Sequence, residues 1–487
     1  MSKIDTVAVI GGGVAGLSAG GLLSRKGLKV KLFEANDKLG GCCATTNLAG
    51  YTFNDGAIYL ALPGILDCVF ERLGVDRPSL LPLRKITANE TTTLPDGTVV
   101  SIADRLEVTV KKSKGDVNRI KLQKELSNMV KKWEPVLRLF VDDIIMHPFS
   151  LPRLMVKGWR HLHKFRGTVA SEINRLFSDE AIRAAMSGVL LYTGLPPQKT
   201  PVSQILGLIA MLSDGFYLPE GGMGKLPEAL SQSLKNNGGE IFLNSKVHKI
   251  IVRDERVYGL EVEGQGLVEV DAVISTVSGM VTFGSLLNPE DISENMRQKV
   301  LCAPLSHKAL CLQLGLSNMI DQCSHSNSIL PMMEEQYKVF IPSEDKVKWF
   351  NYTVPTVTMP ELAPQGGSII EMFLPVKQEV PVDDWDEQKK ERIVGSAVQA
   401  LSRIHNIDIA VKRVLSPKDF QDRMHLYKGA LYGLTPAVDP RALFPHNPSI
   451  PGLYQAGQTT YPGYGVPSAA MSGIFAAERL MKTEDTQ

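Results

Sequence analysis

The sequence predicts an α/β protein with two domains, one of which is assembled from three separate parts of the chain. Three observations predict this. The chain starts with a strand–glycine turn–helix–strand pattern, short strands rich in β-branched residues lie in its middle, and a second glycine-rich turn precedes an alanine-rich helix near its end. The 487 residues are too many for one small core. We expect residues 1–84, 217–289 and 442–487 to form the first domain, and residues 85–216 and 290–441 to form a second, α+β domain.

The composition is that of an ordinary globular protein. Apolar residues make up 44% of the chain, charged residues make up 22%, and the formal net charge is +1, so nothing global favours binding to nucleic acid. The six cysteines form no C-x-x-C pair and the histidines have no ligand spacing, which argues against a disulfide framework and against a metal site. No segment reaches the ~20 apolar residues that span a bilayer. These features favour a cytoplasmic protein.

The N-terminal segment combines a strand, three glycines and a helix. A buried strand is predicted from Thr6 to Ile10, Gly11, Gly13 and Gly16 follow with G-x-G-x-x-G spacing, and a helix is predicted from Val14 to Leu23. The first glycine permits a tight turn, the second lets the backbone approach a pyrophosphate, and the third lets helix and strand pack closely. The pattern predicts a Rossmann-type unit that holds a pyrophosphate against the free N–H groups of the helix start.

A second strand and an acid complete this unit. The strand is predicted from Lys29 to Phe33, and Glu34 follows it. A carboxylate at this position accepts hydrogen bonds from ribose hydroxyls and repels a 2′-phosphate, so NADP is disfavoured. An empty turn of the same shape, as some non-catalytic relatives of this fold retain, remains the alternative.

A second glycine pair, Gly40 and Gly41, follows Glu34 closely. It implies another close approach of the backbone to the same ligand. The loop resembles the one that follows the ribose-binding acid in the FAD-dependent phytoene desaturase and amine oxidase superfamily, so the resemblance implies FAD. Those families usually place Arg or Lys after the glycine pair, whereas this chain has Cys42 and Cys43.

Further segments carry the same resemblance. Tyr51–Ala57 resembles the part of the family that passes the flavin, and Tyr217–Leu226 resembles a "Y-P-x-G-G-M" element that opens a helix. The predicted strands between Gly239 and Ser275 resemble the mid-chain strands of the family, in which the backbone at the position of Val247 meets the adenine.

The most specific resemblance lies in Pro451–Pro467, which precedes an alanine-rich helix predicted from Ser468 to Leu480. It is similar to the "L-Y-x-x-G … P-G-x-G-x-P … S-G" signature of phytoene desaturases. Gln458 stands where many FAD enzymes have Asp. The segment Gly457–Pro467 holds no Cys or His, so we expect the flavin to be bound without a covalent link.

The resemblance and the βαβ pattern together imply a set of cofactor-binding residues. They are Gly11, Gly13, Val14, Ala15, Gly16, Glu34, Ala35, Gly40, Gly41, Cys42, Gly56, Ala57, Val247, Gly457, Gln458, Gly465 and Val466.

The second domain is expected to contain both strands and helices and to cover the flavin. Strands are predicted within Thr98–Val110, Ala309–Leu314 and Ser368–Leu374, and helices within Asp116–Leu139 and Glu172–Leu190.

The segment Val136–Arg166 differs from its surroundings. It combines aromatic and aliphatic residues with cations; five Lys and Arg residues, and no acid, follow Asp143. This pattern suits an element that contacts a membrane surface or admits a lipophilic molecule. It suits equally an ordinary amphipathic helix packed on the core.

Three functions follow from these features. The first is an FAD-dependent oxidoreductase that resembles phytoene desaturases and moves hydride from a C–H bond of an apolar, extended substrate onto flavin N5, in a desaturation or isomerisation. The second is an enzyme of the flavin amine oxidase type, which predicts an aromatic cage from Tyr427, Tyr432, Tyr461 and Tyr464. The third is a binding protein similar to Rab GDP-dissociation inhibitors. The sequence identifies no catalytic residue and no oligomeric state.

Overall fold

A computed structural model describes residues 4–103, 107–113, 115–320, 323–341 and 346–485.

The strands are numbered in chain order. They are β1 Thr6–Ile10, β2 Lys29–Phe33, β3 Thr45–Leu48, β4 Tyr51–Asn54, β5 Leu60–Ala61, β6 Leu83–Ile86, β7 Ala88–Thr93, β8 Val99–Ala103, β9 Val108–Lys111, β10 Phe216–Pro219, β11 Glu240–Phe242, β12 Val247–Arg253, β13 Arg256–Val262, β14 Gly266–Glu269, β15 Ala272–Ser275, β16 Ala309–Leu316, β17 Ser326–Ile329, β18 Phe350–Thr353, β19 Ser368–Pro375, β20 Ile409–Leu415 and β21 Leu453–Gln455.

The α-helices are numbered in the same way. They are α1 Val14–Arg25, α2 Pro63–Leu73, α3 Arg77–Leu80, α4 Arg119–Leu139, α5 Leu151–Gly158, α6 Val169–Leu176, α7 Glu180–Gly188, α8 Ile205–Ser213, α9 Lys225–Asn236, α10 Gly279–Val281, α11 Glu294–Leu301, α12 Glu387–Ser402, α13 Pro417–Met424 and α14 Val466–Asp485.

A five-stranded parallel sheet brings the three predicted parts of the first domain together. Its order is β11-β2-β1-β15-β21, so the N-terminal, central and C-terminal segments each contribute strands. The central strands are buried on both faces, as is usual when helices cover both faces of a parallel sheet. Helices α1 and α14 pack so closely that a Cβ at Gly473 would lie 2.0 Å from the carbonyl oxygen of Ala15. The predicted α/β class and the three-part assembly of the sheet are confirmed.

An eight-stranded mixed sheet forms the second large element. Its order is β20-β16-β19-β18-β17-β7-β8-β9, and all of its strands come from residues 85–216 and 290–441. Strand β16 pairs with β19 over its full length and is buried throughout. One face of this central part packs against α12 through an aliphatic cluster that includes Leu312, Met372 and Ala397.

A small antiparallel sheet crosses the predicted domain boundaries. Strand β10 pairs with β6, with Pro219 opposite Leu83 and Phe216 opposite Ile86. The boundaries after residues 84 and 216 therefore run through one ladder, and the division into two domains stays a prediction.

One helix that the sequence predicts as continuous is interrupted in the structure. The segment Glu172–Leu190 is interrupted after α6, and α7 begins again at Glu180. Phe177 has an extended backbone, and the Asp179 side chain caps α7 by accepting hydrogen bonds from the N–H groups of Ala181 and Ile182. A capping Asp competes with helix continuation because it satisfies the free N–H groups of a new helix start. The helix predicted from Asp116 is present as α4, which Asn118 caps.

Within the described residues, no helix is long and apolar enough to cross a membrane.

Candidate functional site

A large cavity lies at the carboxyl ends of the parallel strands. Gly11 follows β1, Glu34 follows β2, Thr276 follows β15 and Gly457 lies just beyond β21, and all four line the cavity. Strands β2 and β15 flank β1 on opposite sides. In doubly wound sheets, ligands bind outside the carboxyl ends of the strands at the point where the strand order reverses. The cavity lies at this point.

The glycine turn after β1 leaves open space in front of helix α1. Gly13 precedes the helix with an extended backbone and no side-chain cap, and a Cβ there would meet nothing within 4 Å. The N–H groups of a helix start are free by geometry, and together with the helix dipole they favour an anion. A Cβ at Gly16 would lie 2.0 Å from the carbonyl oxygen of Gly11. Gly16 therefore acts through packing of the turn against the helix.

Glu34 is a buried carboxylate held by main-chain donors. It is 5% exposed. The N–H of Gly12 donates to Oε2 at 2.7 Å, and the backbone N–H and side-chain amide of Asn36 both donate to Oε1 at 2.9 Å. Three donors fix the carboxylate at the cavity wall, with lone pairs left over for a ligand hydroxyl.

The second glycine pair and the following cysteines form the next part of the wall. The N–H of Gly40 donates to the carbonyl of Gly12 at 2.9 Å, which ties this loop to the first glycine turn. Burial and the nearby Asp55 raise the pKa of Cys42 to about 11. Its thiol therefore stays protonated near neutral pH, which makes it a poor nucleophile.

The segment Tyr51–Ala57 packs on this loop. The N–H of Ala57 donates to the carbonyl of Cys42 at 2.7 Å. A Cβ at Gly56 would lie 2.9 Å from the same oxygen, so both residues line the cavity by close backbone packing.

The C-terminal segment closes the cavity from the side of α14. Gly457 has a φ of +100°, and a Cβ there would lie 2.7 Å from the carbonyl oxygen of Thr276, so this position requires glycine. Its N–H donates to the Ser472 hydroxyl at 2.8 Å. Gly465 and Val466 line the cavity at the start of α14, where free N–H groups favour negative charge.

The structure brings most of the predicted cofactor residues to one cavity. Of the seventeen, three lie outside its lining: Gly16, Ala35 and Val247. Val247 is 6% exposed and belongs to an apolar cluster at the start of β12. Roles for these three, and for the rest of the set, stay predictions.

A buried polar network joins this region to the eight-stranded sheet. The Arg413 guanidinium donates to Asp55 at 2.6 Å and to Gln313 at 2.7 Å. Glu371 accepts from the N–H of Asn54 at 2.7 Å. Burial raises the pKa of Glu371 to about 7, with a smaller rise from Asp55 and opposing hydrogen bonds from Asn54. The network fixes the Asn54–Asp55 turn relative to β16, β19 and β20.

The part of the cavity wall that comes from the eight-stranded sheet and the segments around it, called the far end, is built from residues that sequence reasoning missed. They come from several strands and loops and are mostly aromatic or aliphatic: Leu191, Tyr192, His307, Ala309, Val339, Phe340, Phe373, Phe420, Leu426, Leu431 and Tyr432. A partial signal existed for Ala309 and Phe373, since both lie on strands that periodicity predicts. For the loop residues no local pattern distinguishes a cavity wall from a core.

The far end holds titratable groups that are neutral. Burial lowers the pKa of His307 to about 4, and its Nδ1 has no hydrogen-bond partner among the described residues. Burial raises the pKa of Tyr432 to about 12. Among the described residues that line the cavity, Glu34 is the one Asp, Glu, Lys or Arg. The far end is therefore uncharged and mainly apolar.

Only one of the four tyrosines of the predicted aromatic cage lines the cavity, namely Tyr432. Its ring lies 4.9 Å from that of Tyr464, centroid to centroid, with a tilt of 37°. Tyr461 packs against Phe475 instead, at 6.0 Å, and Tyr427 packs in an apolar cluster.

The segment Val136–Arg166 divides into two parts. Its first part is core, since Val136, Leu137 and Val141 are buried, as the amphipathic-helix interpretation predicts. Its second part exposes large apolar side chains, namely Phe149, Leu151, Met155, Val156, Trp159 and Leu162. None of the described residues that line the cavity belongs to this segment.

The chain belongs to a known family. The profile of the flavin containing amine oxidoreductases matches residues 14–481. The chain is 25% identical to a zeta-carotene-forming phytoene desaturase of Myxococcus xanthus, covering 98% of this chain and 93% of that protein. It is 27% identical to a lycopene-forming phytoene desaturase of Pseudescherichia vulneris, covering 98% and 99% respectively.

A solved structure has the same fold. An oxidoreductase from Methanosarcina mazei superposes with a TM-score of 0.66 at 16% identity, over 97% of this chain and 100% of that chain. The predicted superfamily is therefore confirmed. The protein is a flavin-dependent oxidoreductase of the desaturase-like kind.

Proposed function

We propose that the protein binds FAD without a covalent link and oxidises an apolar, extended substrate by desaturation or isomerisation. The observation that carries this proposal is the change of character along the cavity. Main-chain N–H groups and Glu34 line one end, and uncharged, largely apolar side chains line the other.

The residues at the first end fit FAD. Open space before α1 suits a pyrophosphate, because a Cβ at Gly13 would meet nothing within 4 Å. Glu34 suits a ribose, because its carboxylate is fixed by three donors at the cavity wall. The start of α14 suits the edge of a ring that gains negative charge, because its free N–H groups and dipole favour an anion.

The residues at the far end suit an apolar substrate. When bound, FAD supplies a hydride acceptor at N5. Side chains such as Phe373 and Leu431 hold an apolar chain by burial and exclude water from it. His307 stays neutral at physiological pH, because its pKa is lowered to about 4. It therefore places no charge beside the substrate.

The binding is proposed to be non-covalent because both thiols among the described lining residues, those of Cys42 and Cys43, have a pKa raised by burial and are unreactive. Cys42 lines the cavity, but its raised pKa keeps it protonated. Acid precipitation of the purified protein should leave the flavin in the supernatant. A yellow precipitate would show a covalent link.

The substrate class is tested by anaerobic mixing of the flavin-loaded protein with a panel of polyenes and amines. We expect polyenes to bleach the flavin absorbance and primary amines to leave it unchanged. A protein purified without flavin, and unable to take it up, would instead favour the GDP-dissociation-inhibitor-like binding function.

Amine oxidation is the second candidate function. Tyr432 favours it, since its ring lines the cavity as one wall of an aromatic cage would, and packs against the ring of Tyr464. Against it, the described residues that line the cavity include no carboxylate beyond Glu34 that could bind a cationic amine. Bleaching by an amine and not by polyenes would establish this function.

We further propose that α5 and its flanks contact a membrane surface. Leu151, Met155, Val156 and Trp159 are between 53% and 71% exposed, and cations such as Lys157 lie among them. Apolar side chains beside cations suit the surface of an anionic bilayer. Sedimentation with anionic liposomes should carry the protein down, and the variant Val156→Asp/Trp159→Asp should stay in solution.

A further inference from the structure

A second cavity lies on the other side of the eight-stranded sheet, between the end of β19 and helix α12. Side chains alternate along β19, so Phe373 lines the first cavity whereas Leu374 lines the second. Ile393 lines the second cavity from α12. Val339 and Pro375 line both cavities and so form a shared wall between them near the strand end.

The lining of the second cavity has an unusual composition. Of its fifteen described lining residues, ten are apolar and five are lysines, namely Lys338, Lys346, Lys348, Lys377 and Lys389, and none is acidic. An apolar cavity that served only as a packing defect would carry no such set of cations. A cavity that takes a small inorganic anion would not need so much apolar wall.

The apolar and cationic residues occupy different depths. Val347, Leu374, Val376 and Ile393 are each less than 9% exposed. Lys346, Lys348 and Lys377 are exposed. The apolar side chains therefore form the floor, and these lysines form the rim.

A buried donor in the wall of this cavity has no hydrogen-bond partner among the described residues. Trp385 is 6% exposed and lines the cavity. Its Nε1–H makes no hydrogen bond with any of the described residues. Buried polar groups in folded proteins are almost always hydrogen-bonded, so an unused indole N–H in a cavity wall points to an acceptor atom on a ligand.

We propose that the second cavity binds an amphiphilic anion, an apolar chain that ends in a carboxylate or a phosphate. The chain lies between Val347, Leu374 and Ile393. The anionic group accepts hydrogen bonds from the rim lysines and from the Trp385 indole. The ligand is either one end of a substrate that reaches the first cavity past Val339, or a separate lipid.

Titration calorimetry with octyl phosphate tests this proposal. Octan-1-ol is the uncharged control ligand, and inorganic phosphate is the control ligand without an apolar chain. We expect one octyl phosphate to bind per protein, and each control ligand to bind at least about ten-fold more weakly. If octyl phosphate binds no more tightly than octan-1-ol and inorganic phosphate do, the proposal is overturned.

Variants locate the binding. Lys346→Met/Lys377→Met changes exposed residues and should weaken octyl phosphate at least about ten-fold while leaving octan-1-ol unaffected. Trp385→Phe keeps the ring and removes the donor, and should weaken octyl phosphate by about ten-fold. Lys235→Met, an exposed lysine at the end of α9, is the control and should bind as the wild type does. Equal affinity in the lysine double variant would overturn the proposal even if Trp385→Phe failed to fold.

The two sources of the ligand differ in their effect on the flavin. Long-chain terpenoid carboxylates that bind here and bleach the flavin anaerobically would be substrates. Carboxylates that bind with the same dependence on Lys346 and Lys377, without bleaching, would be lipid ligands. Binding is read by calorimetry and not by turnover, so failure of the proposed redox function would leave this result unchanged.

Discussion

The two ends of the first cavity are built in different ways. At the end proposed to hold the cofactor, called the cofactor end, main-chain atoms form most of the wall, as with the N–H of Gly12 that donates to Glu34 and the carbonyl of Cys42 that accepts from Ala57. At the far end, side chains from separate strands and loops make the wall, as Phe373 and Tyr432 do. A backbone wall demands particular residues because a Cβ would fill it. A side-chain wall can be changed one residue at a time without loss of the fold.

The largest effect is expected where the backbone wall is open. Gly13→Trp has room for its side chain, since a Cβ there meets nothing within 4 Å, but the indole then fills the space proposed for the pyrophosphate. We expect a folded protein without flavin, measured by the absorbance of the purified protein and by circular dichroism. Gly395→Trp on α12 is the matched control, because a Cβ there is also unobstructed. Full flavin content in Gly13→Trp would contradict the placement.

A smaller effect is expected from Glu34, the one acidic or basic side chain among the described residues that line the cavity. Glu34→Gln keeps the shape of the side chain. Its NH₂ group, however, faces N–H groups that donate hydrogen bonds to the carboxylate in the wild type. We expect the Kd for FAD to rise by about ten- to a hundred-fold, in line with the worth of hydrogen bonds to a charged group. Quenching of flavin fluorescence on titration of the apoprotein measures it. The exposed Glu240→Gln should match the wild type, and an unchanged Kd in Glu34→Gln would remove the ribose role.

A substitution at the far end should weaken substrate binding and leave FAD binding unchanged. Phe373→Ala removes an aromatic wall from β19, so we expect KM for an apolar substrate to rise by about ten-fold or more from lost burial. The Kd for FAD should change by less than about two-fold, because Phe373 lies on β19 and contributes none of the glycine turns that form the backbone wall. The exposed Phe149→Ala is the control for a lost phenyl ring. Loss of flavin from Phe373→Ala would show that the two ends are not separable.

Two buried glutamates sharpen the comparison through stability and not through binding. Glu34 accepts three N–H groups, whereas Glu90 in the eight-stranded sheet accepts one hydroxyl, from Ser328. Burial raises the pKa of Glu90 from its ordinary 4.5 to about 8. The folded state therefore holds this proton more tightly than the unfolded state does, so its contribution to stability is full below pH 4.5 and is lost as the pH rises through 8.

Glu90→Gln removes the carboxyl group whose deprotonation causes this loss of stability at higher pH. We expect the Tm of the variant relative to wild type to increase between pH 5 and pH 8, by an amount that corresponds to a few kcal/mol at most, since one pKa unit is worth about 1.4 kcal/mol. Thermal melts across this range measure it. The exposed Glu294→Gln should show no such trend, and a difference in Tm for Glu90→Gln that stayed constant with pH would refute the raised pKa.

Much of the fold could be predicted because its signals are local. The first strand, the glycine spacing and Glu34 lie within about one βαβ unit, where each residue type has its own physical reason. The break between α6 and α7 was missed, although Ser178-Asp179 is a capping signal, because the apolar period continues across it. Strand pairing across the predicted domain boundaries, with Pro219 opposite Leu83, was also not foreseen. Pairing between distant segments leaves no periodic pattern of apolar residues in the sequence of either segment.

By itself the sequence determined the superfamily and predicted most of the residues that line the proposed cofactor end, because a backbone wall needs glycine at fixed positions, as at Gly457 opposite the Thr276 carbonyl. Only the tertiary structure decided the far end and the second cavity. Their walls are ordinary apolar residues and lysines, and what makes them a site is convergence in space. Residues as distant as Val339, Pro375 and Trp385 share a cavity because β19 and α12 pack together there, and no local pattern records that packing.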